Sequence, residues 1–344
     1  MRADERRGRS LPRTVWALGL TSLFMDTSSE LIHGLLPLFL VLNLGASAAV
    51  LGLVEGVAEA RIGKGIRGAP RDALIADVTP ADERGAAFGL RQSLDTVGAT
   101  IGPATAIGLM YLFNDDIRTV LWFAVIPAAI AVGILVFGVR EPAHSPGHAP
   151  APIQAKEIAL LSRSYWLVVA AGAIFTLARF SEAFLVIRAH DGGLATAWTP
   201  AVIAVMSLVY AASAYPAGRW QDRIGAKPLL LLGLLVLVAA DLLLAFGQSL
   251  LALFAGIALW GLHMGLTQGV LAALVAASAP SRLRGTAFGL FGLVTGLFTL
   301  IASVLAGVLW TAIGPAATFA AGAGFAAAAC LAFLLLREDR AVPA

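Results

Sequence analysis

Residues 65–90, GIRGAPRDALIADVTPADERGAAFGL, align without a gap to residues 265–290, GLTQGVLAALVAASAPSRLRGTAFGL. The two copies are offset by 200 positions, and their identities include the pairs Arg84/Arg284 and Gly85/Gly285. A repeat over such a distance indicates that the chain is built from two related halves.

The composition around this repeat is that of a membrane protein. Of the 344 residues, 59% are hydrophobic and only 13% are charged, about half the charged share of a soluble globular protein. The mean hydropathy of +0.85 excludes a water-soluble domain, a disordered tail and a nucleic-acid-binding module. Cys330 is the single cysteine, so no intramolecular disulfide is possible. We therefore predict an all-α polytopic membrane protein.

The apolar segments give the number of spans. A span needs about 20 apolar residues, because the hydrocarbon layer is about 30 Å thick and a helix rises about 1.5 Å per residue. The arginine-rich N-terminus resembles the start of a signal peptide, but the apolar segment behind it is too long and further spans follow, so we predict a first membrane helix. Ten segments qualify: 15–42, 47–78, 85–113, 118–139, 163–189, 199–218, 228–247, 250–279, 285–312 and 314–336.

The basic residues predict the orientation. With a cytoplasmic N-terminus, arginines and lysines fall mainly in the inside loops, whereas the outside loops hold Arg118, with Arg188 near a border. This distribution follows the positive-inside rule and predicts that both termini are cytoplasmic. Spans rich in Ala and Gly, with Arg preferred over Lys, suggest a bacterial inner membrane. Residues 141–160 are rich in Pro, His and Ala, which predicts a cytoplasmic linker between an N-terminal bundle, 1–140, and a six-helix C-terminal bundle, 161–344.

The repeat also predicts a gap in the first half. Near the start of each half, Ser29-Glu30 pairs with Ser181-Glu182 at an offset of 152 instead of 200. If both alignments hold, the first half lacks the counterpart of residues 213–260, which is 48 residues. Residues 47–78 would then form a fused helix, leaving about ten spans (4 + 6) instead of twelve. The alternative is that the halves diverged and that ten spans are native.

Residues 218–227 read GRWQDRIGAK. This is the first of three motifs that resemble those of the major facilitator superfamily, a family of secondary transporters with duplicated halves, and it is similar to the family's cytoplasmic loop signature. Glycine allows the tight turn, and the carboxylate can pair with arginine and with a helix N-terminus. The alternative is an ordinary positively charged loop. The matching residues are Gly218, Asp222, Arg223, Gly225 and Lys227.

The second motif, GLRQSLDTVGATIGP, is similar to the signature of the drug:proton antiporter branch. Gly89, Gly98, Gly102 and Pro103 match it, whereas the two glycines that normally follow are absent. Gly98, Gly102 and Ala106 form a stripe of small residues that allows close helix contact, and Pro103 is expected to kink the helix. The resemblance favours antiport, and generic helix packing is the alternative.

The third motif, RIGKGIRGAPRDA, places Arg61, Lys64 and Gly65 like the family's fourth-helix pattern, whose arginine is associated with proton coupling. Lys64, Arg67 and Arg71 would share one helix face. A charge at mid-bilayer costs at least ~2.5 kcal/mol, so this face is expected to line a water-filled cavity. The end of the motif around Arg71 fits a solvated helix end equally well.

The first span carries three ionisable residues on one face. Asp26, Glu30 and His33 are spaced i, i+4 and i+7. Ionisable groups inside a span are commonly functional, and desolvated carboxylates and histidines exchange protons near neutral pH. We therefore predict Asp26, Glu30, His33 and Arg61 as proton-coupling residues. For Asp26 and Glu30, a solvated position near the cytoplasmic interface is the alternative.

Other charged residues in the spans are candidates for lining a substrate cavity. Some of them have a simpler interpretation, because Arg91 with Asp95 and Arg179 with Glu182 are spaced to neutralise each other. His263 is interpreted as a packed histidine. The candidates are Glu55, Glu59, Lys64, Arg67, Arg91, Asp95, Arg179, Glu182 and Arg188.

The sequence therefore predicts a transporter. It contains no motif for a metal site, a phosphate loop or a nucleophile with its base, so we predict no enzyme activity, no cofactor and no nucleic-acid partner. The predicted function is proton-coupled efflux of small molecules by alternating access, performed by a monomer in the lipid bilayer. The alternatives are uptake of an anionic solute by proton symport, and a non-transporting remnant.

Overall fold

The computed structural model describes residues 12–59, 74–75, 78–79, 84–139, 158, 160–280 and 283–335. Within these ranges the regular structure is helical, without a β-strand, which confirms the predicted all-α fold. Three short segments are left unnumbered: Leu36–Leu38, Phe39–Asn43 (a π-helix) and Thr196–Trp198 (a 3₁₀ turn). The longer helices are numbered in chain order. These are α1 Arg13–His33, α2 Ala48–Glu59, α3 Arg84–Leu112, α4 Ile117–Phe123, α5 Val125–Gly138, α6 Arg163–Leu177, α7 Ala183–Asp191, α8 Pro200–Ile224, α9 Ala226–Phe246, α10 Leu250–Ser278, α11 Arg284–Ala312 and α12 Pro315–Leu335.

Seven helical segments of the described residues are long and apolar enough to cross a membrane. The apolar helices Ala48–Ala58 and Arg163–Leu177 are shorter. The predicted span 47–78 continues beyond Glu59 into residues outside the described ranges, and the predicted span 85–113 corresponds to α3, which carries Arg91 and Asp95. The seven segments are Arg13–Asn43, Ile117–Gly138, Thr196–Ala214, Ala226–Phe246, Leu250–Leu271, Gly285–Ala312 and Pro315–Leu334.

The predicted span 163–189 requires a correction. It is not one continuous helix, because α6 ends at Leu177 and α7 begins at Ala183. The five residues between them are held from a distant part of the chain, since the backbone N–H of Ser181 donates to Ser303 Oγ of α11 at 3.1 Å. A hydroxyl of this kind can satisfy a backbone group that leaves the helical ladder within a membrane.

The described residues form two compact units. The first unit contains α1, α3, α4 and α5, and α1 packs against both α3 and α5. Near one end of α1, the buried residues Val15, Leu18 and Ile75 form a cluster on which Leu90 and Val139 pack. Burying these side chains stabilises this end of the unit.

The second unit contains α2 and α6 to α12. Here α9 packs against α10 and α12, α8 packs against α10, and α6 packs against α11. A cluster that includes Leu161, Tyr165, Val275 and Leu283 is buried in this unit. The hydroxyl of Tyr165 donates to the carbonyl oxygen of Ala287 at 2.9 Å, so the polar end of this buried ring has a partner.

Helix α2 belongs to the second unit, whereas the predicted boundaries place it in the bundle 1–140. Its glycines explain this grouping. Gly52 lies against the backbone carbonyl of Ser303, and Gly307 of α11 lies against the carbonyl of Ala48. Glycine allows two helix backbones to approach this closely, so α2 packs along α11.

The predicted repeat is visible in the helices. Both α3 and α11 are 29 residues long, and they begin at Arg84 and Arg284. Ile75 and Val275, at the same offset of 200 positions, are each fully buried in the cluster of their own unit.

Candidate functional site

The acidic face of α1, defined as Asp26, Glu30 and His33, is the most concentrated group of predicted site residues in the first unit. Glu30 Oε1 lies 3.7 Å from His33 Nδ1, and the two side chains are 20% and 41% exposed. The i, i+3 relation therefore brings a carboxylate and an imidazole within ion-pair distance when the histidine is protonated. Asp26 lies one turn away on the same helix.

The predicted small-residue stripe on α3 packs against this acidic face. A Cβ atom added to Gly98 would meet the carbonyl oxygen of Leu23 and lie 3.2 Å from Asp26 Cβ. At Gly102, an added Cβ would lie 2.8 Å from the carbonyl oxygen of Thr27 and 2.9 Å from Glu30 Cβ. The glycines thus allow the backbone of α3 to reach the residues that carry the carboxylates. The helix continues through Pro103, and Gly89 lies in its first turns.

Arg91 and Asp95 form an ion pair on α3. Their Nη1 and Oδ2 atoms are 3.5 Å apart, and the side chains are only 15% and 17% exposed. The other carboxylate oxygen, Asp95 Oδ1, is buried without a hydrogen-bond partner among the described residues. The interpretation in which the two charges neutralise each other therefore has direct geometric support.

In the second unit, Arg179 and Glu182 lie in the segment 178–182 between α6 and α7. The predicted pairing of Arg179 with Glu182 assumed that both residues lie on one face of a helix. The segment between α6 and α7 is not a continuous helix, so this assumption does not hold. Both residues have interaction partners in the folded chain. Their position at a helix interruption was not predicted from the sequence.

Arg188 is engaged by the end of α9. Its Nε donates to the carbonyl oxygen of Leu244 at 2.7 Å, and its Nη2 donates to that of Gly247 at 2.8 Å. A cation at the C-terminal end of a helix satisfies carbonyls that lack an intrahelical partner and interacts favourably with the helix dipole. This geometry favours a capping role over the predicted cavity role.

Two buried ionisable residues complete the second unit. His263 is fully buried, its Nδ1 lies 2.9 Å from the carbonyl oxygen of Gly233, and its ring stands 5.4 Å from that of Phe175, as expected of a packed histidine. Asp241, which no motif indicated, is fully buried on α9, and neither carboxylate oxygen has a hydrogen-bond partner among the described residues. A lone aspartate within a helix of 21 mostly apolar residues was the signal that could have identified it.

The remaining predicted residues are partly described. Glu55 is buried on α2, whereas Arg61, Lys64, Arg67 and the side chain of Glu59 lie outside what the structure describes.

The loop signature begins within α8, which contains Gly218 and Asp222, and Arg223 near the end of this helix is exposed. Gly225 has φ of +86° at the start of α9, as a glycine turn requires. Lys227 Nζ donates to the carbonyl oxygen of Leu334 at 3.1 Å, so the loop is attached to the end of α12.

Comparison with known proteins identifies relatives over nearly the whole chain. An uncharacterized MFS-type transporter of Methanocaldococcus jannaschii is 28% identical over 395 aligned positions that cover 98% of each protein. Because this chain has 344 residues, at least 51 of those positions have no counterpart in it. An uncharacterized protein of Mycobacterium tuberculosis is 28% identical over 275 residues, which are 78% of this chain and 66% of that protein.

Solved structures share the fold at low sequence identity. A bacterial homologue of the human lysosomal transporter Spinster, in an inward-facing and occupied conformation, is 15% identical, with a TM-score of 0.67 over 98% of this chain and 100% of that one. A mutant of the peptide transporter POT is 13% identical, with a TM-score of 0.70 over 94% of each chain.

The family assignment rests on a sequence model that matches both halves. The model of the Major Facilitator Superfamily matches residues 16–201 and again residues 183–344. Together the two matches extend over nearly all of the duplicated helical chain. The protein therefore belongs to the Major Facilitator Superfamily of membrane transporters.

Proposed function

We propose that this chain is a proton-coupled transporter that exports small molecules by alternating access, with Glu30 as its main proton carrier. The observation that carries the proposal is the position of Glu30, a partly exposed carboxylate 3.7 Å from His33, on the α1 face against which Gly102 packs. Membership of the superfamily supports the more general part of this proposal, that the protein moves small solutes across a membrane.

A change of charge at this position would act on helix packing. Gly98 and Gly102 leave no space between the backbones of α3 and α1 beside Asp26 and Glu30. Protonation of a carboxylate at such a contact changes its need for water and for a counter-charge. It would therefore bias the protein between two arrangements of these helices, which is what a coupling ion must do. His33 would share the proton with Glu30, and Arg61 remains a candidate on the family resemblance.

The direction of transport is proposed from the second motif. Gly89, Gly98, Gly102 and Pro103 match the signature of the drug:proton antiporter branch, and the middle two are the residues in contact with α1. Export in exchange for protons fits this combination. We further propose that the protein is a monomer in the bacterial inner membrane. The positive-inside distribution supports a cytoplasmic location for both of its termini.

The test uses inverted membrane vesicles in which respiration builds an inward proton gradient, reported by quenching of an acridine dye. Addition of ethidium should restore the fluorescence of wild-type vesicles, because entry of the cation is exchanged for proton exit. Glu30→Gln should slow this recovery by about tenfold or more, the effect of at least ~1.4 kcal/mol on the limiting step. Arg118→Gln, at an exposed position, is the matched control and should keep the wild-type rate.

Two outcomes would contradict the proposal. Recovery at the wild-type rate in Glu30→Gln, at equal protein level, would remove Glu30 from the coupling mechanism. An absence of recovery with cationic, zwitterionic and anionic compounds alike would contradict export. The alternative of anion uptake depends on Lys64 and Arg67, outside the described residues, and counterflow of labelled anions tests it.

A second candidate function is a non-transporting remnant with an internal deletion. The alignment with the archaeal relative supports it, since at least 51 of its 395 positions have no counterpart in these 344 residues. We propose that the missing segment is the counterpart of residues 213–260. Sequencing the gene across codons 58–63 tests this. Additional codons there would restore a twelve-span transporter, whereas an uninterrupted reading frame, with no exchange in the vesicle assay, would support the remnant.

A further inference from the structure

Asp241 occupies an unusual environment for a carboxylate. It lies on α9 in the sequence LVLVAADLLLAF, and its relative exposure is 0%. No other carboxylate among the described side chains is fully buried. Both Oδ1 and Oδ2 lack a hydrogen-bond partner within the part of the chain that the structure describes.

Such an environment favours the neutral acid strongly over the carboxylate anion. An isolated buried charge costs many times more free energy than a buried neutral polar group, even when the neutral group lacks a hydrogen bond. In a membrane segment no bulk water reduces this cost. The geometry of the site itself therefore requires either a cation or a proton.

Among the described side chains, the neighbouring elements supply no hydrogen-bonded cation to Asp241. Three of their ionisable residues have described hydrogen-bond partners other than Asp241. His263 contacts Gly233 of α9, Lys227 contacts Leu334 of α12, and Arg188 contacts Leu244 and Gly247. No described side chain forms an ion pair or a hydrogen bond with Asp241. The ionisable residues on the adjoining elements are Tyr210, Arg219, Asp222 and Arg223 on α8, Lys227 on α9, His263 on α10, Cys330 on α12, Arg179 and Glu182 in the segment 178–182, and Arg188, His190 and Asp191 on α7.

The carboxyl group instead fills the space beside a glycine of α12. A Cβ atom added to Gly322 would lie 2.7 Å from Asp241 Oδ2 and 3.0 Å from Phe180 Cε1. Phe180 belongs to the segment that interrupts the first helix of this half, and its ring packs 5.3 Å from Trp260 and 5.4 Å from Phe319. Asp241 and the helix interruption thus lie against the same glycine of α12.

The space available nearby is too small for a large ligand. A cleft lined in part by Leu177, Phe180, Thr318 and Gly322 has a volume of about 10 Å³, which is about the space of a single water molecule. No organic solute fits there. The cleft shares Phe180 and Gly322 with the surroundings of Asp241, so movement of the Phe180 segment would bring water to the carboxyl group.

We propose that Asp241 is a proton-binding site of the second unit, occupied in this conformation, and that opening of the Phe180 segment releases its proton. The site is distinct from the acidic face of α1, since α9 and α1 belong to different units. Proton binding stands independently of the proposed function. Only the release step rests on it, as part of a proton-coupled cycle.

The test is infrared spectroscopy of the full chain in lipid nanodiscs at neutral pH, which detects the protonated carboxyl group directly. A protonated carboxyl group has a C=O stretching band that is separate from the bands of carboxylates. We expect such a band in the wild type, absent in Asp241→Asn and retained in Glu30→Gln. Because Asp241→Asn could misfold, the wild type is also produced with ¹³C in its aspartate carboxyl groups, which should shift the same band without any substitution.

The outcomes separate this inference from the proposed function. A wild type without the band, or a band unaffected by both the label and Asp241→Asn, would overturn proton binding at Asp241, whatever the vesicle assay gives. A band that is present and does not change when a transported compound is added would overturn the release step. A normal band together with unimpaired exchange in Glu30→Gln would leave Asp241 as a proton site and contradict the role proposed for Glu30.

Discussion

Helices α3 and α11 are repeat-related and have the same length, but they differ in chemistry. At equivalent positions, offset by 200, α3 has Arg91 and Asp95 where α11 has Phe291 and Thr295. The charged pair of α3 is an intrahelical ion pair, whereas the ring of Phe291 lies against Gly172 of α6. The duplication has therefore kept the helix and changed what it contacts.

The packing partners differ in the same way. In the first unit, Gly98 and Gly102 of α3 meet the acidic face of α1. In the second unit, Gly307 of α11 meets the backbone of α2 at Ala48 and Ala49. Charged residues adjoin the contact made by α3, whereas alanines adjoin the contact made by Gly307, and this difference supports the coupling role proposed for the first unit.

The largest expected effect comes from giving α3 the residues of α11. Asp95→Thr alone removes the carboxylate that pairs with Arg91 and should destabilise the protein by about 3 kcal/mol. Adding Arg91→Phe should restore most of that stability, because the partner cation is then removed as well. The measurement is thermal unfolding in detergent, with the vesicle assay in parallel. Additive losses in the double variant would show that the pair is not a self-contained unit.

A smaller effect is expected from closing the space between α3 and α1. Gly98→Ala places a methyl group against the carbonyl of Leu23, and should cost about 2 kcal/mol through overpacking. Gly108→Ala on the same helix is the matched control, because an added Cβ there meets nothing within 4 Å. It should be neutral or stabilising by up to about 1 kcal/mol. Equal melting temperatures for the two variants would contradict the close contact.

The corresponding experiment on α11 should give a smaller loss. Gly307→Ala places a methyl group against the carbonyl of Ala48. However, α2 is short and packs chiefly on α11, so it can shift, and we expect about 1 kcal/mol. Gly292→Ala is the control on the same helix, with open space around the new Cβ. A loss larger than that of Gly98→Ala would reverse the ranking of the two contacts.

The smallest effect concerns the turns that follow the two helices. After α3, the carboxylate of Asp116 caps α4 by accepting from Thr119 Oγ1 and from the backbone N–H groups of Arg118 and Thr119, whereas α11 is followed by Gly314, with φ of +128°, and Pro315. The hydrogen bond from the Thr119 hydroxyl, followed by those from the backbone, lowers the pKa of Asp116 below its ordinary value of 3.8. The cap therefore contributes its stability above the unfolded-state pKa and loses it as the pH falls through the lowered folded-state pKa.

The measurement for this cap is the melting temperature as a function of pH in the acidic range, around and below the ordinary aspartate pKa. Asp116→Asn keeps a side-chain acceptor without a titrating charge, so it should show a weaker decrease in the acidic range than the wild type. Identical pH profiles for the two proteins would mean that the cap does not contribute to acid sensitivity.

Local patterns predicted the parts of this molecule that depend on neighbours in sequence. The i, i+4, i+7 spacing placed Asp26, Glu30 and His33 on one helix, and the four-residue spacing predicted that Gly98 and Gly102 allow close contact. The offset of 200 predicted two helices that begin at Arg84 and Arg284. Each of these follows from helix periodicity or from alignment of the chain with itself.

Other features depend on residues far apart in sequence. The interruption between α6 and α7 lies within a single predicted span, and it is held by Ser303, 122 residues from Ser181. Arg188 has the sequence context of a cavity residue, but the carbonyls that engage it are 56 and 59 residues away. The grouping of α2 with the second unit likewise depends on glycines that face a helix more than 200 residues later in the chain.

That this protein is a duplicated all-helical membrane protein follows from its residues in order, because hydropathy over about 20 residues and repetition over 200 are properties of the chain alone. Only the folded arrangement shows which ionisable groups are paired and which cap a helix. It also shows which of them, like Asp241, are buried without a hydrogen-bond partner among the described residues. The physical reason is that the free-energy cost of a charge is set by the atoms around it, and those atoms come from helices that the chain connects only at long range.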